Sequence, residues 1–210
     1  MGLVCNGGAP SNVLYNGAGV SLYFNGSKIW PNIAPTPVIT DYVTIGSQVW
    51  MSKNLEYDDN QGGIYTANIQ MADSVTAHAY YYTHDAAVRV ANAIPGWHLP
   101  TSAEFKTLIN YAGPNYQTAG NNLKSRAGWY GGNNGYDLYG FNAFPEGAYY
   151  NGSPTSEQSI CSMATQTQTT ESNVLKDVYF TITNWGYYDG ASLAKDTANS
   201  YGYNIRLIKD

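Results

Sequence analysis

Short runs of alternating apolar and polar residues dominate this chain, and helical spacing breaks in at two places only. Val13–Tyr15, Val20–Phe24 and Lys28–Trp30 read as strands, with Asn16-Gly17 and Asn25-Gly26 as the tight turns between them. Tyr42–Met51 reads as two further short strands around Gly46-Ser47. Ala87, Val90, Ala91 and Ile94 then fall at i, i+3, i+4 and i+7, which predicts a helix over 85–94 ended by Pro95-Gly96. A second helix starts at Thr101, whose hydroxyl and Glu104 form a capping-box pattern. Phe105, Leu108, Ile109 and Ala112 make its apolar face, and Gly113-Pro114 its stop. Beyond residue 115 no helical period appears. The chain is Gly-, Asn- and Tyr-rich to about 160 and Thr/Gln/Ser-rich to about 172, so long loops are expected, of the functional kind. Val178–Ile182 reads as a strand and Tyr203–Ile208 alternates as a terminal one. Strand, helix, helix, loops and strands in that order indicate an α+β fold.

Composition shifts suggest the domain boundaries. Residues 1–30 form a small β-hairpin module, too small to be stable alone, that pairs with another chain or packs on the main domain. Residues 31–37 hold three prolines, each fixing φ and removing a donor, and read as a stiff linker. Residues 38–210 make the large domain.

Charge narrows the function. The chain of 210 residues has a formal charge of −5, which argues against a nucleic-acid partner, since phosphates are met by clustered Lys and Arg. No apolar run is long enough to span a bilayer, so no membrane insertion is expected. Met1–Asn6 shows neither a basic segment nor an apolar core, and Leu3-Val4-Cys5 lacks the apolar stretch of a lipoprotein signal, so no export signal is expected. Cys5 and Cys161 are too few for a disulfide framework or a zinc cluster and read as unlinked.

An ordered set of motifs resembles a known family. Val43–Met51, Asn54-Leu55, Gly96–Thr101 with Glu104, Ala119-Gly120, Leu123–Ser125, Gly128-Trp129, Asp137, Gly140–Pro145 and Ile205–Asp210 together look like the Fibrobacter succinogenes major paralogous domain, over about residues 40–210. The resemblance implies a C-type-lectin-like fold, shared with formylglycine-generating enzymes and with variable proteins of diversity-generating retroelements. In that fold the first and last strands pair, two helices pack beside them, and a long loop region forms the binding face. The family is usually found on bacterial surface proteins and phage structural proteins. One departure is visible. Cys161-Ser162-Met163 stands roughly where relatives carry Trp-Trp-Ser or Phe-Trp-Ser.

Catalytic and metal readings have thin support. His98 precedes a helix cap and reads as structural, and His78 and His84 are spaced off one face. Asp58–Gly62 resembles a calcium loop but puts Gly62 at a ligand position, so an exposed turn is expected. Formylglycine chemistry needs a cysteine pair, and only Cys161 lies in the domain. Glu146, Glu157 and Asp189 could face a cleft, but glycoside hydrolysis sets the separation of two carboxylates, which sequence does not give. No catalytic residue, metal or cofactor is assigned.

The inferred loops are rich in tyrosine and amides. Tyr130, Asn133, Asn134, Tyr136, Tyr139, Tyr149, Tyr150, Trp185, Tyr187, Tyr188 and Asp189 form the candidate ligand-binding set. Tyr and Trp offer rigid contact area, and Asn, Ser and Gly adaptable hydrogen bonds, the mixture that binding paratopes use. The alternative is that several of these rings fill the core, as Trp129 and Phe141 do by their place in the family motif. The expected function is a non-enzymatic phage virion protein, in a tail or head fibre or decoration. Residues 1–37 would join it to other virion proteins, and the lectin-like domain would meet a host-surface glycan or protein, the chain acting as a homo-oligomer such as a trimer. The alternatives are a purely structural virion protein and a bacterial surface adhesin.

Overall fold

A computed structural model describes residues 35–184 and 190–210, and for residues 12–15, 20–24 and 27–30 the strand pairing alone. The chain divides into two compact units, residues 1–36 with 58–62 and residues 37–57 with 63–210. In the first, β1 (Asn12–Tyr15), β2 (Val20–Phe24) and β3 (Ser27–Trp30) form an antiparallel sheet in the order β1-β2-β3.

Among its described residues the second unit is α+β, with three α-helices and several small antiparallel sheets. β4 (Tyr42–Ile45) and β5 (Gln48–Met51) pair around Gly46, whose φ of +61° suits glycine, and a Cβ there would press 2.9 Å from the Tyr111 ring. β6 (Ile64–Gln70) and β7 (Thr76–Tyr82) make a separate hairpin. α1 (His84–Asn92) is capped by Thr83 and buries Ala86 together with Ala87, Val90 and Ala91 of the predicted face, whose fourth member, Ile94, is buried just past the helix end. β8 (Trp97–His98) leads into α2 (Ser102–Ala112), where the capping box forms as expected: the Thr101 hydroxyl accepts from the Glu104 amide at 3.2 Å, and Glu104 accepts from the Thr101 amide at 2.7 Å.

Two expectations are corrected. The stretch after 115 is not one long loop. α3 (Tyr116–Leu123) starts there, capped by the Asn115 side chain accepting from the Thr118 amide at 2.9 Å. Its apolar face is only Ala119, Gly120 and Leu123, too few large residues to register as a helical period. Gly120 is small for a reason: a Cβ there would lie 2.8 Å from the Gly190 Cα. β9 (Ala148–Tyr150) and β10 (Ser153–Thr155) follow as a hairpin whose turn puts Asn151 and Gly152 at φ of 49° and 87°. The Thr/Gln/Ser run is β11 (Ile160–Glu171), paired to β12 (Val174–Thr183) and through it to β13 (Gly190–Thr197). Thr is a β-branched strand former, and an outer half that leaves Glu171 exposed needs no apolar alternation.

The other correction is the terminal strand. Only Ile208–Lys209 is strand, β14. Residues 203–207 run between neighbours, and every one of Tyr203 to Ile208 is buried, so alternation there does not mean one wet face. Asn204 donates its amide to the Ser162 carbonyl, while the Ile205 and Leu207 carbonyls accept from Leu55 and Met51. β14 then pairs with both β5 and β8, giving the order β4-β5-β14-β8 and joining the start of this unit to its end.

The core lies between that sheet, α2, α3 and the β11–β13 sheet. Trp50, Phe105, Phe141 and Phe180 meet at its centre, Phe105 stacked on Phe180 with centroids 4.5 Å apart, an arrangement worth about 0.5–1.5 kcal/mol beyond burial. Trp129 is fully buried and donates its indole N–H to the Ser125 hydroxyl at 3.0 Å. Cys161 is a buried free thiol that burial pushes up to about 12; Cys5 lies outside the described residues. Among the described residues no helix is long and apolar enough to cross a membrane.

Candidate functional site

Strand alternation builds the site. On β12, Phe180 and Ile182 point into the core, so Tyr179, Thr181 and Thr183 point the other way. Ser192, Ala194 and Asp196 of β13 share that outer face, with Ser162 of β11 beside them. The result is a floor of hydroxyls. Its wall comes from β9, which pairs with the C-terminal segment: Tyr149 and Gly202 exchange two backbone hydrogen bonds of 2.8 Å. That pairing places Tyr150 flat on Tyr201, centroids 4.4 Å apart at 18°. Tyr201 and Tyr203 lie parallel at 6.0 Å, and Tyr203 stacks on Tyr179 at 4.4 Å. Floor and wall enclose a cleft of about 530 Å3.

Asp196 is the one charged side chain on that cleft among the described residues, and it accepts from the Tyr203 hydroxyl at 2.8 Å. Burial, then the neighbouring Tyr179 and the Asp196 charge, hold the Tyr203 phenol far above its usual range, so it stays a neutral donor. Tyr179 is raised likewise, by burial first and by Asp196 next. On the other side of the Tyr150–Tyr201 pair lies a second cleft of about 300 Å3, walled by Tyr65 and Tyr149 and edged by Asn151, Asn199 and Ser200. Tyr65 and Tyr149 are themselves stacked at 4.4 Å.

The predicted loop residues divide. Tyr149 and Tyr150 line these clefts. Tyr130 and Tyr136 are strongly exposed on a different segment, and Asn133 is exposed beside them. Asn134 is a latch: its oxygen accepts from the Trp129 amide and its nitrogen donates to Asp73 at 2.9 Å. Tyr139 packs on Tyr111 and the core. Trp185, Tyr187, Tyr188 and Asp189 lie outside the described residues. The sequence reading missed Tyr65, Tyr179, Tyr201, Tyr203 and Asp196. Period two in Tyr179-x-Thr181-x-Thr183, Ser192-x-Ala194-x-Asp196 and Tyr201-x-Tyr203 groups residues of one face but does not show which faces meet, and none of the three patterns includes Tyr65.

The other candidate groups meet partners within the protein. His98 sits between two carboxylates, its Nε2 2.9 Å from Glu104 and its Nδ1 2.7 Å from Asp210. In the 58–62 segment, Asp58 and Asp59 accept from the backbone of Asn60 and Gln61, two Asx turns. Among the described residues no group of three His, Cys, Asp or Glu could hold a metal ion. Deep in the second unit, Arg206 is 1% exposed and donates to the carbonyls of Phe141 and Asn142 and, at 2.7 Å, to the Asn54 oxygen. Asn54 passes the link on, donating to Glu146 at 2.9 Å, and Asn204 donates to the same Glu146 oxygen at 2.9 Å.

That network ties together residues from the front, middle and end of the chain, the order of the motifs seen in the sequence. The family model described as Fibrobacter succinogenes major domain matches residues 43–209. The chain belongs to this family. Comparison with curated proteins and with solved structures returns no match. Within the Fibrobacter succinogenes major domain, the motif residues Trp50, Asn54, Trp129, Phe141 and Arg206 are core and network residues in this chain. The clefts draw mainly on positions outside those motifs.

Proposed function

We propose that this protein is a non-enzymatic phage virion component that recognises a glycan on the host surface, held to other virion proteins through residues 1–37 and acting as a homo-oligomer. The tyrosine-walled, hydroxyl-floored cleft carries this reading. Aromatic faces take the C–H faces of sugar rings, while Ser and Thr hydroxyls and a carboxylate meet sugar hydroxyls in the directions they need. A volume of about 530 Å3 falls in the range of small-ligand sites. The pairing of β5 with β14, with α2 and α3 packed against the same core, supports a C-type-lectin-like domain over residues 38–210.

The test compares the wild-type chain with Tyr150→Ala and Tyr201→Ala, as purified proteins on bacterial cells and as particles in an adsorption assay. Cell binding at least tenfold weaker, with particle yield unchanged, is the expected result. Equal adsorption by wild-type and variant particles overturns the reading, and so does loss of particles in place of loss of binding, which assigns these tyrosines to assembly.

A further inference from the structure

We infer that the two clefts form one bipartite site for a neutral oligosaccharide, which crosses the edge of the stacked Tyr150–Tyr201 pair; this rests on the glycan-recognition reading above. Three observations lead there.

The first is continuity. Tyr150 and Tyr201 line both the larger and the smaller cleft, so a single stacked pair is the partition between them. A ligand filling both spaces meets the two ring edges midway and has to be a chain of linked units; a lone ring fills one side. The second is repetition. Each cleft supplies the same chemistry: a stacked tyrosine pair beyond the partition, Tyr179–Tyr203 on one side and Tyr65–Tyr149 on the other, with hydroxyl or amide groups next to it. A polymer with a repeating unit meets a repeating surface. The third is charge. Among the described residues lining either cleft there is no Lys, Arg or His, and the one ionised group is the Asp196 carboxylate. An acidic sugar would bring its carboxylate towards Asp196 and the negative faces of the tyrosines with no cation to offset it. A neutral sugar instead offers hydroxyl donors to Asp196, forming charge-assisted hydrogen bonds.

The test titrates the full-length chain calorimetrically with neutral hexose oligomers of one to six units and with oligogalacturonates of the same lengths. Affinity is expected to rise at least tenfold from one unit to the length that fills both clefts and then level off. Oligogalacturonates are expected at least tenfold weaker, and Asp196→Asn is expected to narrow that gap. Tyr65→Ala should remove the gain from chain length while leaving binding of the single unit, and Tyr201→Ala should weaken every neutral oligomer. Tyr201→Phe and Tyr65→Phe keep the ring faces and should retain binding within a few-fold, which separates lost stacking from a lost fold. Acidic oligomers binding as tightly as neutral ones, affinity independent of length, or no binding of any neutral oligomer would each overturn the inference. Cell binding that falls with Tyr150→Ala and Tyr201→Ala while neutral oligomers of every length bind equally to the wild type and to Tyr65→Ala overturns the two-cleft site and leaves host recognition standing. Neutral oligomers bound in the expected pattern by a chain that binds no cells uphold the site and overturn host recognition.

Discussion

Arg206 carries a full charge to a place that is 1% exposed, and burial brings its guanidinium down to about 10, still charged at neutral pH. Its partner charge is Glu146, reached through the Asn54 amide. Burial raises the Glu146 carboxyl, against the opposing pull of the Asn54 hydrogen bond and of Arg206. A buried pair is costly to break from one side, because the stranded charge cannot regain water. Arg206→Met is therefore expected to cost about 3–5 kcal/mol at pH 7, read by urea unfolding. The double variant Glu146→Gln with Arg206→Met is expected to cost less than Arg206→Met alone, since no charge is then stranded. The pH dependence has a definite sign. The folded state holds the Glu146 proton more tightly than the unfolded chain does, whose carboxyl has the ordinary value of 4.5. That contribution is complete below 4.5 and is lost as pH rises through the raised value. Without Arg206 the carboxyl rises further, so Arg206→Met should lose its stability over a wider span of pH than the wild type. A single-variant loss below about 1 kcal/mol would show that Arg206 is not in a buried pair of this kind.

Among the elements, the α2 N-terminus does more than start a helix. Glu104 closes the capping box and also holds His98 of β8, whose other nitrogen meets Asp210 just past β14. Partial burial disfavours the His98 charge, but the hydrogen bonds and charges of Glu104 and Asp210 outweigh it and raise the ring above 6.5. Glu104 is lowered below 4.5 even though its own burial opposes this, chiefly by the Thr101 amide and by His98. The His98 contribution is complete below 6.5 and lost as pH rises through its raised value; the Glu104 contribution is complete above 4.5 and lost as pH falls through its lowered value. His98→Gln should therefore remove a loss of stability that the wild type shows in thermal unfolding as pH rises above 6.5. Both groups are near one-third exposed, so the effect is under about 1 kcal/mol. This helix was plain in the sequence because cap, apolar face and stop agree at every position. α3 was not, because its face is Ala, Gly and Leu, and β11 was not, because a half-exposed Thr/Gln strand has the composition of a loop. The β6–β7 hairpin lies in a stretch where no period was read. Of the site, Tyr149 and Tyr150 were found through loop composition. Tyr179, Tyr201 and Tyr203 were hidden because they come from two segments far apart in the chain that only the β9–Gly202 pairing and the β12 face bring together.

For the whole second unit, the last six residues decide whether the rest can close. Ile208 faces Trp50 on one side and His98 on the other, so it is the strand between two others. Before it, Ile205 and Leu207 are fully buried and their carbonyls satisfy the amides of Leu55 and Met51. Arg206 anchors the Phe141–Asn142 turn from the same segment. Removing residues 205–210 empties three buried aliphatic sites at about 2–5 kcal/mol each, before any account of Arg206. A domain is stable by only about 5–15 kcal/mol in all. The shortened chain, residues 1–204, is therefore expected to show no cooperative thermal transition for this unit in near-ultraviolet circular dichroism. Removing Asp210 alone takes away its side-chain hydrogen bond to His98 and its amide's bond to the Gly96 carbonyl but leaves β14 in place, so that variant should unfold cooperatively with a midpoint only a few degrees lower. The comparison isolates the strand from the chain end. A sharp transition in residues 1–204 would mean that β5 and β8 are held by the core without the strand between them. The tyrosine partition would then owe its position to the β9 pairing with Gly202 alone, and not to the closure of the unit by its final strand.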